Sequence, residues 1–213
     1  GRNSLAVVIE NDGKDLWLEN SAAPWPDLAV EDIKEAIREA GLVGMGGAMF
    51  PTHVKVSPPP GKTCSAVIIN GAECEPYLTC DYRLMLEEPE TIILGLKMWL
   101  KVTGAERGYI GVEDNKPAAI EALEGALRTE EKIELVPLAT KYPQGSEKQL
   151  IAAVLGREVP SGGLPVDAGA LVQNVGTTYA LVQALNERKP LVERVVTVTG
   201  TPLKHPSNLR VRV

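Results

Sequence analysis

Short apolar runs alternate with helical patterns along most of this chain, and this alternation restricts the fold more than any other feature. Three runs have the length of buried strands, at residues 65–70, 108–112 and 132–137. Apolar residues at helical spacing predict helices at residues 90–102, 117–128, 146–155 and 177–187. Strands that alternate with such helices pair in parallel through helical crossovers. The sequence therefore predicts an α/β fold with three layers.

The two ends of the chain depart from this alternation. Residues 1–27 contain strand patterns at residues 5–9 and through Leu18, then two prolines, and are interpreted as the end of a β-rich segment and a linker. A helix is expected over residues 30–40, with Gly41 as its stop. The expected division of the chain is therefore 1–27, 28–190 and 191–213.

The last segment has the pattern of a small β unit. Residues 193–199 alternate in hydrophobicity, Gly200-Thr201-Pro202 predicts a turn, and residues 209–213 begin another strand. The β unit stops after this strand pattern, and the chain begins without an initiator methionine, so we expect an excised fragment of a longer protein.

Charge and rare residues exclude several classes of function. The chain has 22 basic and 28 acidic residues, a net charge of −6, and no basic cluster, so a nucleic-acid partner is not expected. No run reaches the roughly 20 apolar residues of a membrane span. Three cysteines without a CxxC pair and two histidines favour no metal site, no iron–sulfur cluster and no histidine-dependent triad.

Two polar segments near the first strand are candidates for ligand binding. The segment Gly44-Met45-Gly46-Gly47-Ala48 clusters glycines whose amides could converge on an anion or approach a flat ring, although a tight structural turn is an equal alternative. The segment Asn70-Gly71-Ala72-Glu73-Cys74-Glu75 follows the first strand, where ligands bind in open α/β sheets. A solvated acidic turn remains the alternative for this second segment.

Two further candidates lie at predicted helix starts. Residues 142–147 precede a helix whose Ser146 and Gln149 match a capping box, and residues 173–178 begin the last helix. Free amides at such helix starts bind phosphate. A purely structural role remains open for Glu147, which complements the helix dipole, and for Lys55, which would otherwise neutralise a phosphate.

The four candidate segments together resemble one family of flavoproteins, and the first and the last are the specific ones. Residues 41–52, GLVGMGGAMFPT, resemble the flavin loop of the NADH-binding subunit of respiratory complex I. They are still more similar to the loop of the Rnf-type C subunits of electron-transport complexes. The segments Gly163-Leu164-Pro165 and 171–177, LVQNVGT, strengthen the second similarity. The resemblance extends from about residue 33 to residue 213.

This resemblance implies a Rossmann-like FMN-binding domain over residues 28–190. Residues 191–213 would then begin a soluble-ligand-binding β-grasp (SLBB) domain. It implies that amides of Gly44, Gly46 and Gly47 hold FMN, with Lys55 near the flavin or its phosphate. The other implied cofactor contacts are Phe50, Asn70, Glu73, Glu75, Tyr142, Gly145, Glu147, Asn174 and Thr177. Within this set, Asn174 and Thr177 match residues that anchor the phosphate, and Glu75 and Glu147 are the expected catalytic residues.

The resemblance also implies the reaction and its setting. Hydride would pass between NAD(H), the substrate, and FMN, and electrons would then leave singly to 4Fe-4S clusters. No CxxCxxC motif is present, so these clusters are expected only beyond residue 213. The implied partners are other subunits of an ion-translocating membrane complex and ferredoxin or a similar carrier. The implied location is peripheral, on the cytoplasmic side of the inner membrane.

The sequence departs from the complex I pattern at three places. Ala72 stands where complex I has an acid, Ser146-Glu147 replaces a Glu-Glu pair, and no aromatic residue occurs between Phe50 and Tyr77 to clamp adenine. FMN binding is therefore better supported than NADH binding. Two alternatives stay open, a flavoprotein of the cobalamin-reductase type and a docking subunit of a quinone reductase without flavin.

Overall fold

The computed structural model describes residues 7–10, 12–14, 16, 25–128 and 130–212. The strands expected at residues 5–9 and through Leu18 lie partly outside these residues, and the described positions up to residue 16 contain no helix or strand. A 3₁₀ helix, Trp25–Asp27, precedes the first α-helix. The interpretation of residues 1–27 as a β-rich segment and linker therefore stays a prediction.

Within the described ranges, one parallel sheet has four strands in the order β3-β2-β1-β4. Their bounds are Ala66–Gly71 for β1, Arg107–Glu113 for β2, Ile133–Leu138 for β3 and Ala170–Asn174 for β4. The three predicted strands are confirmed, because apolar runs suit strands covered on both faces. The edge strand β4 was not predicted, since its five residues end in the polar pair Gln173-Asn174.

Helices cover both faces of this sheet. Their bounds are Val30–Glu39 for α1, Thr52–Lys55 for α2, Cys80–Glu87 for α3, Pro89–Thr103 for α4, Pro117–Ala126 for α5, Glu147–Leu155 for α6 and Val175–Asn186 for α7. The five predicted helices are confirmed to within two residues at most ends, and Gly41 follows α1 with φ +64°. The short α2 and the helix α3 were not predicted.

The strand β1 shows how the layers form. Successive side chains of a strand point to opposite faces, so Val67 and Ile69 pack in the larger core with α1, α3, α4, α5 and α7. Between them, Ile68 packs on the other face against Leu150 and Ile151 of α6. The predicted three-layer α/β architecture is confirmed. None of the described helices is both long and apolar enough to cross a membrane.

The last described residues form an antiparallel β5–β6 hairpin. Its strands are Glu193–Val198 and Ser207–Arg212, as the alternating pattern predicts. The hairpin packs against the N-terminal end of α3, where the Thr79 backbone N–H donates to Thr197 Oγ1 at 3.0 Å and the Thr79 hydroxyl donates to Asn208 Oδ1 at 3.1 Å. It also contacts α7, where Arg210 Nη2 donates to the Tyr179 hydroxyl at 3.1 Å. The assignment of this hairpin to an SLBB domain stays a prediction.

Candidate functional site

The candidate site lies at the carboxyl ends of β1 and β4. The chain leaves β1 toward β2 on one side and returns from β3 through α6 to β4 on the other. This is a topological switch point, the place where open α/β sheets bind ligands. Asn70 at the end of β1 and Asn174 at the end of β4 are register partners there. The sheet thus brings together two segments that lie about 100 residues apart in the sequence.

The glycine loop, residues 44–50, is closed at its base and attached to α7. The Gly44 backbone N–H donates to the Phe50 carbonyl at 2.9 Å, and the Met45 N–H donates to Thr177 Oγ1 at 2.9 Å. Gly47 has φ +120°, a conformation that residues with a side chain rarely adopt. The N–H groups of Gly46 and Gly47 donate to no described residue. The loop therefore presents amides that a ligand could use.

The N-terminal end of α7 is capped by a side chain. Asn174 Oδ1 accepts from the backbone N–H groups of Gly176 at 2.8 Å and Thr177 at 3.3 Å. Its Nδ2 donates to Asp81 Oδ2 of α3 at 2.6 Å. Free amides were expected at this helix start, and this expectation is wrong for Gly176 and Thr177, because the cap already uses them. Thr177 itself is fully buried.

The start of α6 differs, because no side chain caps it. Ser146 occupies the N-cap position, but its side chain makes no capping hydrogen bond. The predicted capping box of Ser146 and Gln149 is therefore wrong. Glu147 in the first turn forms an ion pair with Lys55 of α2, with 2.5 Å between Oε1 and Nζ. This ion pair places α2 beside the beginning of α6.

The loop before α6 is fixed to β1. Asn70 Nδ2 donates to the Gly145 carbonyl at 2.7 Å, and the Gly145 N–H lies 3.3 Å from Cys74 Sγ. A Cβ added at Gly145 would lie 3.2 Å from that sulfur. Only glycine therefore fits this approach comfortably. The three cysteines are half-buried free thiols, as expected from the sequence.

The acidic segment after β1 divides into two roles. Glu73 accepts from the backbone N–H groups of Asp81 at 2.8 Å and Tyr82 at 3.1 Å, and so satisfies the first turn of α3. Glu75 is exposed and accepts a hydrogen bond from the Tyr142 hydroxyl at 3.2 Å. This bond raises the pKa of Tyr142. Glu73 therefore supports the local fold, while Glu75 is exposed and lines the cavity next to the hairpin that is described below.

Two cavities lie on either side of the glycine loop. The proline cavity, of about 640 Å³, has apolar walls that include Phe50, Pro58 and Leu164, together with Lys55 and Glu147. The hairpin cavity, of about 610 Å³, is lined by Glu73, Asp81, Arg194 and Arg210. Both cavities share Gly46, Asn70, Gly145, Ser146 and Asn174. Every predicted site residue except Thr177 lines at least one of them.

Electrostatics distinguish the hairpin cavity. Burial, with the neighbouring charge of Glu73, raises the pKa of Asp81 to about 7, although the Asn174 amide and the positive charge of Arg194 oppose this. Burial also raises the pKa of Glu73. At neutral pH the Asp81 carboxyl is therefore divided between its protonated and ionised forms. The described residues contain no cluster of histidine, cysteine and acidic side chains that could hold a metal ion.

Sequence reasoning did not name three residues of the site as cofactor contacts. Gln173 is 1% exposed and lines the proline cavity, and its Nε2 has no hydrogen-bond partner among the described residues. Arg194 lines the hairpin cavity with a buried Nε that also has no hydrogen-bond partner among the described residues, although its charge faces Asp81. Asp81 lies in a helix that was not predicted. Gln173 begins the candidate segment 173–178 and lies in the stretch LVQNVGT, but it was not named there as a cofactor contact.

Comparisons with known proteins agree with this geometry. The chain is 52% identical over 210 residues to the C subunit of a proton-translocating ferredoxin:NAD(+) oxidoreductase complex of Clostridium ljungdahlii, covering 98% of this chain and 46% of the relative. It is 49% identical over 216 residues to the C subunit of a Na(+)-translocating ferredoxin:NAD(+) oxidoreductase complex of Acetobacterium woodii, covering 100% of this chain and 48% of the relative. The chain thus spans about half the length of these relatives.

A solved structure and a family match complete the comparison. The crystal structure of an NAD+-reducing [NiFe]-hydrogenase in the air-oxidized state is similar with a TM-score of 0.65 and 26% identity, over 74% of this chain and 30% of that one. Residues 37–183 match the Nuo51 FMN-binding domain, Complex1_51K. This match contains the glycine loop, the sheet and all of the site residues predicted from the sequence. The chain therefore belongs to the Nuo51 FMN-binding domain family.

Proposed function

We propose that this chain binds FMN and exchanges hydride with NAD(H), as the flavoprotein module of an ion-translocating ferredoxin:NAD oxidoreductase complex. The observation that carries the proposal is the meeting of the glycine loop, the Asn70–Gly145 contact and Asn174 at the switch point of the sheet. These features surround two adjoining cavities. Family membership and the names of the relatives support the same proposal.

The residues present fit a flavin nucleotide. The N–H groups of Gly46 and Gly47 have no acceptor among the residues that the structure describes. A flavin nucleotide has ring carbonyls and a phosphate that can accept hydrogen bonds from them. Gln173 offers a buried amide donor that has no hydrogen-bond partner in the described part of the chain. A buried donor of this kind costs about 1–3 kcal/mol unless a ligand or water satisfies it. Gly145 lines both cavities, and without a side chain it packs closely against Cys74 in their shared wall.

FMN, when bound, supplies the redox chemistry, a hydride exchange with nicotinamide and single-electron exchange with iron–sulfur clusters. The chain would position the two reactants and exclude water. The apolar wall of Phe50, Pro58 and Leu164 suits the apolar faces of a dinucleotide. Glu147, held by Lys55, and Glu75, bonded to Tyr142, would orient polar groups of the ligands through hydrogen bonds. No histidine is needed for a direct hydride transfer.

The wider assembly is part of the proposal. The relatives are subunits of ion-translocating complexes and about twice as long as this chain. We therefore propose that 4Fe-4S clusters lie in a part of the full-length protein that would follow residue 213 of this sequence. The other subunits of the complex and ferredoxin or a similar carrier would be the partners. The module would lie peripherally at the cytoplasmic face of the membrane.

The test is the visible spectrum of the protein after incubation with FMN and removal of the excess, followed by anaerobic titration with NADH. We expect a retained flavin band that bleaches as NADH is added. A band that does not respond to NADH would leave FMN binding but favour another donor, as in a flavoprotein of the cobalamin-reductase type. A folded protein without retained flavin would contradict the proposal and favour a docking subunit.

Two glycine substitutions test whether the flavin binds at the glycine loop. Gly47→Gln places a side chain at φ +120° in the glycine loop, and we expect it to abolish flavin retention. Gly125→Gln makes the same change in α5, where an added Cβ meets nothing within 4 Å, and we expect it to retain flavin. Equal retention by both variants would place the cofactor away from the glycine loop.

A further inference from the structure

We infer that Lys116, in the turn that follows β2, is a positioning residue that together with Glu113 holds two loops of the site against each other. The loops are the segment after β1, which carries Glu75, and the segment before α6, which carries Tyr142. The inference rests on the proposed function, because Glu75 and Tyr142 are among the groups proposed to orient the ligands. It gives the end of β2 a part in the site.

Lys116 and Glu113 form an ion pair that is almost completely buried. Their side chains are 10% and 3% exposed, and Lys116 Nζ lies 3.6 Å from Glu113 Oε2. Burying two charges costs free energy that the pair often does not recover, and apolar side chains of similar size can be equally stable there. Stability alone therefore does not explain this pair. Its hydrogen bonds to the two loops indicate a role in positioning them.

Lys116 holds the loop after β1. Its Nζ donates to the Ala72 carbonyl at 2.7 Å and to Asn115 Oδ1 at 3.1 Å. Ala72 is fully buried, and its own N–H donates to Asn70 Oδ1 at 3.2 Å. Asn70 Nδ2 in turn donates to the Gly145 carbonyl. A series of hydrogen bonds therefore runs from Lys116 to the glycine that lines both cavities.

The end of β2 also holds the loop before α6. Glu113 Oε1 accepts from the Lys141 backbone N–H at 3.4 Å. Asp114 Oδ1 accepts from the Thr140 backbone N–H at 3.1 Å and from the Thr140 hydroxyl at 2.5 Å. Since these two residues directly precede Tyr142, the position of Tyr142 depends on these contacts.

Glu75 and Tyr142 meet where the two loops come together. The Tyr142 hydroxyl donates to Glu75 at 3.2 Å, although the tyrosine is 67% exposed. Both residues line the hairpin cavity and an adjoining crevice of about 540 Å³, which Glu113 and Lys116 line as well. Because exposed side chains have few packing contacts, the separation of Glu75 and Tyr142 depends on what holds their backbones. Lys116 and Glu113 do so from the buried side of the crevice.

A double variant separates positioning from stability. Lys116→Met leaves Glu113 buried without its partner, so we expect a lower denaturant midpoint. Glu113→Gln/Lys116→Met removes both charges and keeps an acceptor oxygen at residue 113, so much of the midpoint should return. The Ala72 carbonyl still lacks its donor in this double variant. The loops should therefore remain displaced in a protein that is stable again, and the double variant also serves if Lys116→Met does not fold.

Ionisation of Tyr142 reports the contact with Glu75 without any flavin. The ultraviolet absorbance of the phenolate is followed as pH rises, and each variant is compared with its own Tyr142→Phe counterpart to isolate one of the five tyrosines. The Glu75 contact raises the pKa of Tyr142. In the double variant this pKa should fall toward the ordinary value of about 10. With FMN bound, reduction by saturating NADH should become about 10- to 100-fold slower.

Two further lysine variants are the controls. Lys116→Arg keeps a charged donor and should retain the raised pKa of Tyr142 and the rate of flavin reduction. Lys132→Met makes the methionine change at an exposed lysine just before β3, at the opposite end of the sheet, and should leave both unchanged.

A folded double variant in which either the ionisation of Tyr142 or the rate of flavin reduction is unchanged would overturn the inference and leave the ion pair a packing role. A wild-type protein that binds no FMN, or whose FMN does not respond to NADH, would instead contradict the proposed function. The ionisation of Tyr142 would still decide whether Lys116 holds the loops.

Discussion

The helices α6 and α7 both begin at the candidate site, yet their N-terminal ends are built differently. The first turn of α7 is buried, and Asn174 and Asp81 satisfy its donors and position its cap. The first turn of α6 has no side-chain cap, and Glu147 and Lys55 beside it are partly exposed. The difference indicates that α7 serves as the scaffold to which the glycine loop is attached, whereas α6 presents a start that can still take part in binding.

The largest loss of stability and of flavin binding should follow from removing the N-cap of α7. Asn174→Ala removes the cap from Gly176 and Thr177 and leaves Asp81 without its amide donor. We expect the free energy of unfolding to fall by about 2 kcal/mol or more, with loss of flavin retention. Denaturant unfolding measures the first and absorption the second. Asn186→Ala, at the exposed C-terminal end of the same helix, is the control, and equal losses in both variants would contradict the scaffold role.

A smaller loss should follow from detaching the glycine loop. Thr177→Val removes the hydroxyl that accepts from the Met45 N–H and leaves this donor without its partner. We expect a loss of about 1–2 kcal/mol in unfolding free energy and weaker FMN binding. Thr177→Ser keeps the hydroxyl and should restore FMN affinity. If the serine variant binds FMN as weakly as the valine variant, the Met45–Thr177 bond does not position the loop.

The pH dependence of the unfolding free energy should reveal the raised pKa of Asp81. Its pKa is raised to about 7 from an ordinary 3.8, so the folded state binds a proton between these values that the unfolded state has released. Stability from this group is therefore greatest below about pH 4 and falls as pH rises toward 7, by about 1.4 kcal/mol per unit at most. Asp81→Asn removes this slope. The measurement is the difference in unfolding free energy between wild type and variant at pH 5 and pH 8, and a constant difference would contradict the assignment.

The ion pair beside α6 should contribute little to stability. Lys55 and Glu147 have side chains that are 24% and 42% exposed, and ion pairs this accessible contribute about 0.2–1 kcal/mol. A double-mutant cycle of Lys55→Gln and Glu147→Gln measures the coupling. We expect a value within this range that decreases as salt is added. A coupling above about 2 kcal/mol would make α6 as rigid a part of the scaffold as α7.

The smallest effect should be at the N-cap of α6. Ser146 makes no capping hydrogen bond, so Ser146→Ala should change the free energy of unfolding by less than about 0.5 kcal/mol. Set against Asn174→Ala, this variant completes the comparison of the two helix starts by denaturant unfolding. A loss at Ser146 as large as the loss at Asn174 would remove the distinction between them.

Much of the fold was predictable because it depends on local patterns. The apolar run of β1 and the proline at the first turn of α5 can each be recognised from a short stretch of the sequence. The helix α3 was missed because the carboxylate that satisfies its first amides comes from Glu73, outside the helix and without a capping pattern at Thr79. Secondary structure that depends on such a contact leaves a weak local pattern.

The candidate site was predictable where one segment carries the signal. The glycine loop and Asn174 could be selected from the residues around them and from the family resemblance. Asp81 and Arg194 could not, because their importance depends on cavities formed by elements far apart in the sequence. The same limit explains the capping box expected at Ser146, where the sequence pattern is present but the side chain does not make the bond.

The contacts of α3 have a consequence for dividing the protein into parts. The N-terminal end of this helix is joined to β1 through Glu73, to α7 through Asp81 and to the β5–β6 hairpin through Thr79. Cutting the chain at the expected boundary near residue 190 would remove the partners of Thr79 and expose one side of this junction. Residues 28–190 alone would therefore be a poor minimal unit for expression, and a unit that extends through residue 212 keeps all three connections.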